Sequence, residues 1–378
     1  MRLRTYSSPL LVGFLFVCFL FLLSRRFSNS IIKDISEISK SAIIPSNPCF
    51  EFIHSLPPPP LTSNGQFMDI YLIDATSIEK LRSNCNASLD LPIDVMVSED
   101  YGDASFDTDT FNVSFFVDKV DFVWIKGKTD RVLLKQDHHR VGPLLIPTDL
   151  QRFSDFYERS RLIPCLNKKI KRNKTKEYEN KYPLPKHFEN KMAELRDALI
   201  DMGTMPFITG GTLLGWYREC AIIPHTMDAD FGVLRQEYRP RMLQQIKDLP
   251  GFDLFKRIGR DYDSLEFTLV AHHGGPIDIF IVYDEDDDHV YTTGLDKPSR
   301  LRFKWILPRA KGYCSGILNG RLFFVPCNVE QILRTEYGKE WQNDHPTSKF
   351  NWWESSPNVV SNGEFTKEEM DKYYIQYY

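Results

Sequence analysis

The 378-residue chain has no internal repeat. It also lacks any Cys-x-x-Cys or His/Cys spacing of the kind that holds zinc. No Gly-x-x-x-x-Gly-Lys-Ser/Thr P-loop occurs, since no Gly-Lys-Ser/Thr closes the Gly210–Gly211 segment, and there is no Gly-x-Gly-x-x-Gly fingerprint, which removes the two commonest nucleotide-binding signatures. Positive charge is not in excess: 47 Lys and Arg stand against 51 Asp and Glu, a net charge of -4, so nothing suggests a nucleic-acid partner. Low complexity is confined to Pro57–Pro60, and only one long apolar run occurs. What remains is ordinary globular composition, 42% hydrophobic and 26% charged, in a chain long enough for two domains.

The apolar run is "PLLVGFLFVCFLFLL", from Pro9 to Leu23, with Arg2 and Arg4 before it and Arg25 and Arg26 after it. As a helix it spans about 22 Å, short for a bilayer core. No Ala-x-Ala-like cleavage site follows, so it reads as a signal anchor rather than a cleaved signal peptide. Arginines on both flanks leave the orientation undecided by charge alone. Three acceptor sequons, at Asn86, Asn112 and Asn173, favour a luminal address. Apart from Cys18, in the anchor, the cysteines are Cys49, Cys85, Cys165, Cys220, Cys314 and Cys327. An even number in an oxidising compartment permits three disulfides, and six cysteines have about fifteen connectivities.

Residues 1–8 are expected to form a cytoplasmic tail, 9–24 the anchor, and 25–60 a stem ending in the stiff "SLPPPP". Residues 61–165 carry five segments with strand-like alternation, including "IDVMVSED" and "VDFVWIKG", and read as a luminal α/β domain. Within it, Asp137–His139 reads as an exposed polar turn in preference to a metal site. The charged stretch 166–187 reads as a surface linker. A helix over "HFENKMAELRDALIDMG" then opens a domain from 188 to 378. Strands dominate there: "PFITGG", "DADFGVL", "FDLFKRIG", "SLEFTLVAHH" and "IDIFIVYDE". A helix over "QEYRPRMLQQIKDL" interrupts them. "ILNGRLFFV" signals a hairpin, and "NVEQILRTEYG" a helix with Asn328 and Gln331 as its cap. The class is α/β with a mixed or antiparallel sheet.

Chemistry concentrates between Thr209 and Val233. On a strand, Asp228 and Asp230 project to one face, about 7 Å apart at Cα. Two such carboxylates suit a hard cation that also binds phosphate oxygens. Asp278 lies in an otherwise apolar strand, where burial is costly without a partner, so it is the third candidate ligand. Gly210 and Gly211, followed by Thr212, let a backbone approach phosphate closely, or form only a tight turn. Arg218 and Arg260 are candidate phosphate clamps, and Arg218 reads equally as a solvated pair with Glu219. His225 orients a carboxylate, serves as an acid, or is structural. "DEDDDH" at 284–289 reads as a solvated turn. Trp352 and Trp353, with the tyrosines near the C-terminus, read as packing in preference to a sugar or cytosine platform.

A Gly-Gly turn, then Asp-x-Asp, then a strand aspartate resembles the nucleotidyltransferase fold. "GGTLLGWYRECAIIPHTMDADFGV" is similar, more narrowly, to the fukutin family within the LicD-type phosphotransferases. The resemblance is strong over 206–283 and looser through "FFVPCNVEQILRTEYGKEWQ". It implies a single-pass type II Golgi membrane protein that moves a phospho-alcohol from a CDP-activated donor to a glycan hydroxyl. CDP-ribitol is the first donor to expect, the O-mannosyl glycan of dystroglycan the acceptor, and CMP the product. Phosphocholine transfer from CDP-choline, and non-catalytic docking of other Golgi glycosyltransferases, are the alternatives. Asp228 and Asp230 would hold Mg²⁺ or Mn²⁺. Asp278 would complete the metal site or accept the hydroxyl proton. Gly210, Gly211, Thr212, Arg218 and His225 would face the donor.

Overall fold

Strand alternation organises both halves of the molecule. The computed structural model describes residues 52–61, 65–82, 89–102, 105–127, 129–172 and 183–378. The expected anchor, Asn86 and Asn173, and Cys49 and Cys85 lie outside these residues. Among the described residues no helix is long and apolar enough to cross a membrane.

The first half is a mixed seven-stranded sheet with two helices. Its elements are β1 (Ile70–Leu72), α1 (Ala75–Arg82), β2 (Ile93–Ser98), β3 (Phe111–Asp118), β4 (Phe122–Lys126), β5 (Arg131–Leu134), β6 (His138–Val141), β7 (Leu144–Pro147) and α2 (Leu150–Glu158). The order is β5-β4-β3-β2-β1-β7-β6, with β1/β7 and β2/β3 parallel. Ile70, Leu72, Val95 and Val97 are wholly buried, as the alternation expects. Asn112 is exposed on β3, its amide donating to Asp94.

The second half begins with α3 (Phe188–Asp201), β8 (Phe207–Ile208), α4 (Gly210–Glu219), β9 (Ala229–Leu234) and α5 (Met242–Lys247). There follow β10 (Phe252–Ile258), β11 (Glu266–Ala271), β12 (Pro276–Asp284), β13 (His289–Asp296), β14 (Leu301–Pro308), β15 (Tyr313–Leu318) and β16 (Arg321–Pro326). The chain closes with α6 (Val329–Tyr337), β17 (Val359–Glu364), α7 (Lys367–Tyr373) and β18 (Tyr374–Gln376). Eleven strands form one mixed sheet along β15-β16-β8-β9-β12-β11-β10-β18, with β13, β14 and β17 branching from β12. Asn319 and Gly320, both at positive φ, turn the β15–β16 hairpin as their sequence signals.

Several expectations change. Residues 52–60 are not purely a spacer: Ile53 is fully buried in the core, and its carbonyl sits where a side chain on Gly142 would lie. The linker beyond Cys165 is docked, because Leu166 and Lys168 donate backbone hydrogen bonds to Tyr217 and Arg218. A Cys165–Cys220 disulfide fixes that contact, and Cys314–Cys327 ties β15 to the end of β16. Asn328 does not cap α6 through its side chain, which instead accepts from Lys311 and donates to Gln331. Pro240 leaves the helix after it only six residues long. Between the halves, Arg196 of α3 donates to Asp121 at 2.9 Å and to the Leu322 carbonyl, so one hydrophobic core runs through both.

Candidate metal centre and phosphate site

Strand register assembles the site. β9 and β12 run parallel with Asp230 opposite Asp278, and antiparallel β11 places Thr268 opposite Asp278. β10 adds Lys256 opposite Thr268. Four adjacent strands thus present Asp230, Asp278, Thr268 and Lys256 in one row on one face. Asp228, just before β9, joins the row. One oxygen from each of Asp228, Asp230 and Asp278 can lie within 4.8 Å of the others, the only such three-ligand group among the described residues. They form the floor of a cavity of about 710 Å³.

The Gly-Gly segment is not a turn between two strands. It is the first turn of α4, and its glycines meet a carboxylate. Gly210 has φ +54°, and a Cβ there would stand 2.9 Å from Asp230 Oδ2. Thr212 N–H lies 3.4 Å from the same oxygen, and Asp230 N–H donates to Thr212 Oγ1 at 2.8 Å. The helix N-terminus therefore fixes Asp230. A Gly210→Ala change should cost about 1 kcal/mol for the left-handed backbone alone. It should also weaken divalent-metal stabilisation measured by thermal unfolding; an unaltered metal response would separate Gly210 from the carboxylate's placement.

The row is electrostatically loaded. Burial raises Asp228, and it raises Asp230 well above the carboxylate range, with further elevation from Asp228 and Asp278. Asp278 is pushed to about 7 by burial and by Glu266, although Lys256 and the hydrogen bond from Thr268 oppose this. Each carboxylate keeps an edge open to the cavity. A divalent cation would relieve this concentration of negative charge, and three converging oxygens are a suitable donor set.

Arg218 departs from its expected role as a phosphate clamp. Although it lines the cavity, it is 1% exposed, and its guanidinium is held by Glu219 and by Asp344 at 2.7 Å. The pair with Glu219 exists, but it is buried rather than solvated. Arg172, from the expected linker, binds both the same acids. His225 bridges Asp344 at 3.2 Å and Thr347 at 2.7 Å, so it orients a loop at the cavity's edge. Arg260 pairs with Asp263 beside Phe365 and does not line the cavity. The "DEDDDH" turn is closed by Asp286–His289 and Asp284–Arg309 contacts.

Sequence reasoning passed over Lys256, Glu266, Thr268, Glu336 and Asp344. Glu266 and Thr268 alternate with Leu265, Phe267 and Leu269, the same pattern that marked the aspartates. Lys256 forms an ion pair with Glu266 at 3.2 Å. Glu336 on α6 is pushed to about 7 by burial, and its Oε2 has no hydrogen-bond partner among the described residues. Trp352, expected to serve packing, also lines the cavity, with its ring 5.1 Å from that of Trp305.

Comparison with known proteins agrees with this architecture. Residues 203–328 match the model for the LicD/FKTN/FKRP nucleotidyltransferase domain, and residues 61–164 match that of the W02B3.4-like N-terminal domain. The uncharacterized protein W02B3.4 of Caenorhabditis elegans is 30% identical over 328 residues, covering 83% of each chain. The uncharacterized protein T07A5.1 of the same organism is 32% identical over 256 residues, 66% of this chain and 67% of that protein. Mouse ribitol-5-phosphate transferase FKTN is 30% identical over 258 residues, 67% of this chain, and the match spans 55% of the mouse protein. With the Gly-Gly helix start and the three aspartates inside the matched domain, the chain belongs to the LicD family as a fukutin-like member.

Proposed function

We propose that the protein transfers a phospho-alcohol from a CDP-alcohol to a glycan hydroxyl, with ribitol 5-phosphate from CDP-ribitol as first choice, and that it works as a type II protein in the Golgi membrane. The observation that carries the reading is the in-register convergence of Asp228, Asp230 and Asp278 on the floor of an open cavity. The name of the mouse relative supports ribitol 5-phosphate as the group moved, and the sequons and anchor-like run support the address.

In this reading the glycan oxygen attacks the phosphorus that bears the alcohol. The bond from that phosphorus to the bridging oxygen breaks, and CMP leaves. Asp228, Asp230 and Asp278 would hold Mg²⁺ or Mn²⁺, which when bound offsets charge on the diphosphate. Lys256, at the end of the row, takes the electrostatic role that Arg218 does not. With Asp278 among the ligands, Glu266 paired with Lys256 and Asp344 with two arginines, Glu336 is the cavity carboxylate without a cationic partner among the described residues and would accept the hydroxyl proton.

One observation favours a second donor. Trp305, Trp341, Trp352, Tyr337 and Phe350 also line the cavity, and aromatic walls suit a quaternary ammonium such as choline. Incubating the full chain with CDP-ribitol or CDP-choline, Mg²⁺ or Mn²⁺ and a phosphorylated O-mannosyl glycopeptide, and measuring CMP, separates the two. CMP from CDP-ribitol alone is the expected result. CMP from CDP-choline alone replaces the donor, and no metal-dependent CMP from either overturns the reading.

A further inference from the structure

The N-terminal sheet lines a second, half-open cavity of about 390 Å³. β5 and β6 are its opposite edges, yet only Lys135, Gln136 and Asp137 join them. Seven flat strands would be about 29 Å across, while the chain from Leu134 to His138 reaches roughly 15 Å at most. The sheet must therefore curl until its edges approach. Tyr71, Met96, Ser98 and Phe116 share one face by register and line this cavity, with the 135–137 connection at its mouth.

The lining is chemically specific. Gln136 has both its amide nitrogen and its amide oxygen buried with no hydrogen-bond partner among the described residues, and His138 has Nε2 in the same condition. Leaving such groups unmet costs about 1–3 kcal/mol each, and a small rotation of either side chain towards a ligand in the cavity they line would relieve it. His138 and Phe116 pack edge-on against Tyr71, with ring centroids 5.0 and 5.5 Å away, and form an aromatic wall. His138 therefore does not lie in the exposed turn expected from the sequence. Two of the three acids at the rim are matched, Asp69 by Arg140 and Asp118 by Lys135 at 2.6 Å, while Asp100 accepts from the Ser98 hydroxyl. They do not converge as a metal-ligand group. An adjacent donor and acceptor on one amide, an imidazole nitrogen and an aromatic wall suit a molecule rich in hydroxyl groups, and the one unmatched rim acid, Asp100, disfavours an anion.

We propose that this cavity binds a saccharide unit, with Gln136 and His138 meeting its hydroxyls and Tyr71 and Phe116 its C–H face. The site lies in the N-terminal domain, apart from the aspartate row, and does not depend on the transfer reading. The test is saturation-transfer NMR on the full chain with mannose, galactose, N-acetylglucosamine, ribitol and cytidine as separate probes. We expect saturation of at least one sugar. Gln136→Leu and His138→Leu should each weaken it at least tenfold. Gln136→Leu should do so with no loss of thermal stability, since its amide has no hydrogen-bond partner among the described residues, whereas His138→Leu also gives up its contact with Tyr71 and is read at a temperature where it is folded. No sugar signal with the wild type overturns the proposal. So does a signal equal in wild type and both variants, which would place the sugar elsewhere. A response to cytidine alone, or unfolding of Gln136→Leu, which would make the amide structural, also overturns it.

Discussion

Asp230→Asn is expected to cut turnover about a thousandfold and, in the absence of metal, to make the protein more stable. Asp230 lies in a buried row with Asp228 and Asp278, and all three carboxyls are raised by burial. An amide of the same shape still accepts from Thr212, but it ends the repulsion. Metal-free stability should rise by about 1 kcal/mol, roughly 2 °C in Tm. The Mn²⁺-induced rise in Tm should shrink, and CMP release should fall about a thousandfold. The wild type carries a matching pH signature. Asp278 holds its proton up to about 7 when folded but releases it near 3.8 when unfolded. Between those values the native state binds more protons, so metal-free stability must fall as pH rises through the window. Asp230→Asn should reduce that slope, because Asp230 shares the coupled charge. A variant that keeps the full Mn²⁺ shift and full turnover would remove Asp230 from the ligand set.

What was legible in the sequence was whatever a local period records. Alternation gave the strands, and with them the shared face of Asp228 and Asp230. An isolated aspartate among isoleucines pointed to Asp278. The partners of these residues depended on register between strands far apart in the chain, and no period encodes that Thr268 stands beside Asp278 or Lys256 beside Thr268. Gly210 and Gly211 were marked as special for the right stereochemical reason, but what comes close to them is Asp230, reached only after the chain folds back. Arg218 illustrates the opposite failure. A charge next to Glu219 looked available for phosphate, yet Asp344 and Arg172, from distant loops, enclose it. "QNDHP" has no periodicity, so Asp344 carried no signal at all. The matched N-terminal domain runs 61–164, close to the expected 61–165, but a proline run resembles a spacer and hid that Ile53 before it packs in the core.

Asp344→Asn should produce the largest loss of stability, although Asp344 is not among the metal-site acids. Its side chain is 5% exposed and meets Arg172, Arg218 and His225. Neutralising it leaves two arginines, one of them fully buried, with only Glu219 to share. Breaking a buried pair on one side costs about 3–5 kcal/mol, and a loss of about 3 kcal/mol is expected in denaturant unfolding. The acid limb supplies an independent check. Despite burial, hydrogen bonds from His225 and Arg172 and the charges of both arginines hold Asp344 down at about 2 when folded, against 3.8 ordinarily. A depressed carboxyl contributes stability that is complete above the unfolded value and is lost as pH falls towards the folded one. Wild-type stability should therefore decline between about pH 4 and 2, and the variant should lack that part of the decline. Because His225 and Thr347 line the cavity's edge, the folded fraction of the variant should bind donor less well, with KM rising more than kcat falls. Unchanged denaturant and acid unfolding would show that the two arginines are held without Asp344. A fall in kcat at constant KM would place the residue in the chemistry rather than in the scaffold around it.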